Sequence, residues 1–84
     1  MFETVTWVKP DSTTPIMVQI SESGDDIEFI EFETSAMIAL DDLIRRGHKV
    51  YRVYEILAGM MTIGGVEKQV PPFTVRCELN RRGV

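Results

Sequence analysis

The sequence predicts an α+β domain, with one helix over about 35–46 packed on a mainly antiparallel sheet of five or six strands, in the order β-β-β-α-β-β-β. Three observations lead there. Short stretches near both ends of the chain alternate apolar and polar residues with the period of a half-buried strand. Between them, "TSAMIALDDLIRRG" joins an N-cap hydroxyl, a run of helix formers and a glycine suited to the left-handed residue past a helix end. The length of 84 residues, with 44% hydrophobic and 26% charged, is that of one small globular domain, 1–84, of which 80–84 is expected to be a frayed basic tail.

Taken in order, "FETVTWV" (2–8) puts Val5 and Trp7 on one face of a strand, and "KPDSTTP" interrupts it with two prolines. "IMVQIS" (16–21) places Ile16, Val18 and Ile20 together, and "ESGDD" turns the chain toward a third strand, 27–32, expected to pair antiparallel with the second. In that third strand Ile27 and Phe29 share one face while Ile30 and Phe32 share the other, so a bulge near Phe29/Ile30 is expected. On the helix, Ala36, Ala39, Leu40, Leu43 and Ile44 form the core stripe and Ile38 falls on the charged side. "KVYRVYEIL" then reads as a central or doubly covered strand, and with the helix before it residues 27–57 outline a right-handed βαβ crossover. Gly64-Gly65 is a two-residue hairpin turn, and "PPFTVRCEL" directs Phe73, Val75, Cys77 and Leu79 inward. Trp7, Val18, Leu40, Leu43, Val53 and Val75 are the expected core, with Met17, Met60 and Met61 as filler.

The net charge of −4 conceals a division: residues 1–44 hold ten carboxylates against Lys9, whereas residues 45–84 hold eight bases against three acids. The acids are densest in "GDDIEFIEFE" (24–33), five carboxylates in ten positions with no base among them. Glu31 and Glu33 lie on one strand face about 6.8 Å apart, twice the strand rise, a spacing that imitates successive phosphates. Asp41/Arg45 and Asp42/Arg46 are i, i+4 pairs, each worth about 0.3–0.5 kcal/mol to a helix. The remaining acids either face a partner or meet Lys49, Arg52 or Arg76 across the sheet.

Motifs for chemistry are missing from the sequence. His48 follows the expected helix end, where an imidazole meets the last carbonyls, and Cys77 sits at an inward position, where a thiol is inert. One His, one Cys and scattered acids match no metal-ligand spacing, and Gly64-Gly65 lacks the helix and lysine of a phosphate loop. No catalytic residue, cofactor or metal is therefore expected. A single cysteine, no basic-apolar leader and no apolar run of ~18 residues point to the cytoplasm, with no membrane contact.

The expectation is thus a non-enzymatic acidic interaction protein that docks on a basic, nucleic-acid-binding surface of a larger protein or nucleoprotein complex and inhibits it. Its docking residues would be Asp25, Asp26, Glu28, Glu31, Glu33, Asp41 and Asp42, with Ile38 as an apolar anchor among them. In size, acidity and β-α-β order the chain resembles the small inhibitors that phages make against bacterial defence systems, anti-CRISPR proteins among them. The alternative is a self-associating structural or assembly module such as a virion component, with a second copy as partner. Direct nucleic-acid binding through Arg45, Arg46, Lys49, Arg52, Tyr51 and Tyr54 is disfavoured by the acidic balance, with a pI near 4.8.

Overall fold

The computed structural model describes residues 2–20 and 28–80. These form six strands: β1 (Phe2–Lys9), β2 (Ser12–Gln19), β3 (Phe29–Thr34), β4 (Leu43–Arg46), β5 (Lys49–Ile63) and β6 (Val66–Leu79). They make one sheet in the order β2-β1-β4-β5-β6-β3, every neighbouring pair antiparallel, curled into a half-barrel. The α+β expectation is therefore corrected to an all-β fold, and the parallel crossover goes with it.

The expected helix divides into a loop (35–42) and strand β4. Its cap is real but serves a turn: the Thr34 Oγ1 accepts the Ala36 amide at 3.1 Å. One carboxylate oxygen of Asp42 then accepts both the Ala39 amide, at 3.0 Å, and the Trp7 indole N–H, at 2.9 Å. The main chain of Asp41 and Asp42 bonds to both sides of Val53 at 2.9 Å, so β5 captures the chain before a second helical turn could form. A lone helix of about twelve residues is marginal in water, whereas a strand between β1 and β5 satisfies its backbone on both edges. Gly47 does adopt the left-handed conformation, at φ 63°, but as the first central residue of the β4–β5 hairpin.

Strand β3 is not paired with β2; the two occupy opposite edges of the sheet and approach each other across the mouth of the curl. No bulge falls at Phe29/Ile30, because β3 and β6 stay in register from Phe29↔Glu78 to Thr34↔Phe73. Phe29 is instead an outward residue whose ring meets Tyr54 edge-on, with centroids 6.1 Å apart. The bulges lie elsewhere. Tyr54 is the extra residue between Val53↔Cys77 and Glu55↔Arg76, and Pro71-Pro72 are the extra residues between Ala58↔Phe73 and Gly59↔Val70. Prolines have no amide to give the ladder and fit such an interruption.

The core lies on the concave side, where Val5, Val18, Ile30, Phe32, Ile38, Ile44, Tyr51, Val53, Val75 and Cys77 are buried. Val18, Val53 and Val75 are buried as expected, Trp7 and Leu43 are half-buried, and Leu40, 58% exposed, is not a core residue. Ile38 takes its place, dropped onto the sheet by the 35–42 loop. Beyond Ala58 and Phe73 no described strand flanks β5 or β6, and residues 59–70 project as a two-stranded arm. The radius of gyration, 13.6 Å, accordingly exceeds the roughly 12 Å of a compact chain this long.

Two outcomes follow. Ile44→Ala is expected to lower the unfolding free energy by about 2–5 kcal/mol and Leu40→Ala to leave it almost unchanged, both read by urea denaturation. Burial pushes the Cys77 thiol from 9.0 up to about 12. Its folded value lies above the unfolded one, so its contribution to stability is complete below about pH 9 and is lost as pH rises toward 12. A Cys77→Ala chain should show a shallower alkaline fall in melting temperature than the parent, and a disulfide reagent should label native Cys77 only at the rate of unfolding.

Candidate functional site

On the convex face the acids of β3, β5 and β6 are interleaved with two arginines. Cross-strand register sets Glu31 opposite Arg76 and Glu78 opposite Arg52. Arg76 bridges Glu31, at 2.7 Å, and Glu55, at 2.6 Å; Arg52 bridges Glu78 and Asp41. The pKa of the Arg52 guanidinium is raised above its ordinary value by the hydrogen bonds it donates to Glu78 and then Asp41, and that of Arg76 by those it donates to Glu31 and then Glu55. Both stay charged at any working pH. Glu33 is exposed on the same face, opposite Thr74. Five carboxylates thus surround two guanidinium groups, a surplus of three negative charges. At its centre Phe29 and Tyr54 are 56% and 41% exposed.

The expected docking residues do not form one patch. Glu31, Glu33 and Asp41 reach the convex face. Asp42 is taken up by Trp7 and the Ala39 amide, Ile38 is buried rather than an exposed anchor, and Glu28 gives its carbonyl to the Leu79 amide at 2.7 Å. Asp25 and Asp26 lie outside the described residues. The basic patch dissolves as well: Tyr51 is buried, Arg46 is held by both oxygens of Glu3, and Arg52 is enclosed by acids. His48 is exposed in the β4–β5 turn, and Cys77 is buried. Among the described residues no three His, Cys, Asp or Glu side chains gather to hold a metal, and no helix is long and apolar enough to cross a membrane.

Sequence reasoning missed the arm. Met60, Met61 and Met17 are not core filler; they are 58%, 52% and 71% exposed. Pairs Gly59↔Val70, Met61↔Lys68 and Ile63↔Val66 set one apolar face, while Met60↔Gln69 and Thr62↔Glu67 set the other. Gly64 and Gly65, at φ 60° and 82°, close the tip in the conformation that a two-residue primed turn demands. The signal was in the spacing, since strands of 15 and 14 residues on either side of Gly64-Gly65 far exceed the usual five or six.

Two grooves flank these features. One, of about 410 Å³, lies at the base of the arm and is lined by Met37, Ile38, Ala39, Leu40, Ile56, Gln69 and Phe73. The other, of about 620 Å³, opens between the two sheet edges, with Phe2, Met17 and Val18 on one side and Glu31, Phe32 and Glu33 on the other.

Asp42→Ala is expected to cost about 1–3 kcal/mol, since it leaves the half-buried Trp7 indole and the Ala39 amide without their charged acceptor, and to shift tryptophan emission. Unchanged emission and stability would show that the carboxylate does not hold the loop. No protein-family model matches the sequence, and no curated protein or solved structure matches it.

Proposed function

We propose that this chain is a non-enzymatic assembly module that associates with a second copy of itself through the β5–β6 arm. The observation that supports it is the arm: Met61, Ile63 and Val66 stand about half exposed along one face of a ribbon that no other described strand flanks. A two-stranded ribbon is marginal alone in water, and contiguous exposed apolar surface marks a contact site. Glu67 and Lys68 leave the arm without net charge, so it does not select a charged partner. The apolar groove at the arm's base, with Met37 81% exposed at its lip, is of a kind to receive the Ile63–Val66 tip. A chain carrying both a projecting tip and a receiving groove is complementary to itself, and two-fold exchange of arms closes the assembly at a dimer.

Sedimentation velocity tests this. The intact protein is expected to run as a dimer at micromolar concentration, and Ile63→Lys with Val66→Lys, or Met37→Lys alone, to run as a monomer with a melting temperature within a few degrees of the parent. A parent that stays monomeric at every concentration overturns the reading.

A second reading has its own observation, the three-charge surplus of carboxylates around Phe29 and Tyr54 on the convex face. It makes the chain an inhibitor that occupies a basic, nucleic-acid-binding surface of a larger complex. Because four of the five carboxylates already share an arginine, the attraction is weaker than the sequence suggests, and the likeness to phage inhibitors loses its β-α-β component. Glu31→Lys with Glu33→Lys is expected to reduce binding to such a partner more than tenfold while the fold persists. Equal affinity of parent and double variant for a basic nucleoprotein, measured by titration calorimetry, removes this reading.

A further inference from the structure

We propose that the outer edge of β3 is a strand-addition site for an extended segment of a partner protein in which basic and apolar residues alternate. This deepens the acidic reading and rests on it.

The backbone supplies the first argument. The Leu79 amide donates to the Glu28 carbonyl at 2.7 Å, and β3 continues along β6 in unbroken register. Hydrogen-bonded pairs recur at every second residue of an antiparallel ladder. Residues 30, 32 and 34 therefore turn their main-chain groups toward β6, and Phe29, Glu31 and Glu33 turn theirs outward. Among the described residues no strand or main-chain bond takes these groups up, and β2 faces them unpaired across the groove at the mouth of the curl.

The side chains supply the second. Phe29, Glu31 and Glu33 are exposed on the convex face, while Ile30, Phe32 and Thr34 point inward. An added strand would lay every second side chain beside Glu33, which no arginine bridges among the described residues, and Glu31, which shares Arg76. The others would point toward the inward side of the groove of about 620 Å³, where Phe2, Met17, Val18 and Phe32 stand behind Glu31 and Glu33. Alternating basic and apolar residues satisfy both faces at once.

The third argument excludes a second copy. Two β3 edges paired about a two-fold axis would set Glu31 and Glu33 of one chain against those of the other, and like charges directly opposite repel. The β2 edge has no charged residue to answer them, and its Pro15 has no amide proton to donate. The occupant is therefore a strand of different sequence.

The test uses the intact protein and a ten-residue peptide of alternating Lys and Val, with a Glu-Val peptide and a Lys-block/Val-block peptide as controls. On adding the alternating basic peptide, amide exchange by NMR should slow at Phe29, Glu31 and Glu33, and the controls should leave those amides unchanged. Glu33→Gln should weaken the peptide severalfold, and Glu33→Pro at least tenfold further, since it also removes an outward amide while sparing the ladder to β6. Should Glu33→Pro fail to fold, a probe peptide N-methylated at alternate residues on its bonding edge should lose the same affinity against the parent protein. Equal binding of the alternating and block peptides, with no slowing at the three amides, overturns strand addition and leaves the acidic face standing. No binding by any lysine peptide overturns both.

Discussion

Four residues, Leu43–Arg46, join what would otherwise be two separate hairpins. β4 pairs with β1 on one edge and β5 on the other, so among the described residues it is β4 that joins the β1–β2 and β5–β6 units into one sheet. Its single deeply inward side chain, Ile44, is fully buried and stands where the concave faces of both units meet. A chain this small has a thin core, and splitting it would leave neither half with enough apolar burial to fold. The helix that local propensity favours over the same residues would remove that bridge. The competition is settled by non-local pairing, because a four-residue strand with both edges hydrogen-bonded outweighs a few tenths of a kcal/mol from each helical charge pair.

This explains which parts of the fold could be read in advance. β1, the 16–19 end of β2, the Gly64-Gly65 turn and the inward set Val75 and Cys77 were legible because alternation and turn chemistry are local properties, whereas residues 12–15, expected as a loop because of Pro15, pair with β1 as the start of β2. The segment 34–47 misled because each of its local signals is genuine and has a second use. Thr34 accepts an amide, but in a turn; Gly47 is left-handed, but in a hairpin; Asp41 and Asp42 have partners, but these are Arg52 and Trp7 instead of residues four positions on. Nothing within the segment reports that Val53 will bond to the main chain of Asp41 and Asp42. The site was legible in the same measure. Pairing of Glu31 with Arg76 was one of two outcomes weighed from sequence alone, whereas the burial of Ile38 followed from losing the helix and could not be read before it.

The two bulges divide β5 and β6 into parts with different roles. Between Tyr51 and Val53 the ribbon belongs to the core; at Tyr54 the extra residue turns a ring outward to meet Phe29; beyond Pro71-Pro72 the ribbon leaves the sheet. One continuous hairpin thereby carries a buried section, a charged and aromatic section on the convex face, and an apolar section in solvent. Each irregularity stands where one environment gives way to the next, as bulges commonly do.

The two edges that no described strand covers differ in kind, and the difference bears on how the protein survives at high concentration. Sheet proteins with bare edges can stack edge to edge without limit into cross-β fibrils, and growth needs an edge that accepts its own counterpart. Here one edge carries Pro15 in mid-strand and the other carries Glu31 and Glu33 on its outward-bonding residues. Neither is a good template for itself. Fibril growth is therefore resisted by an imino acid on one side and by charge on the other, and the charged side is the one whose resistance a basic strand would turn into attraction.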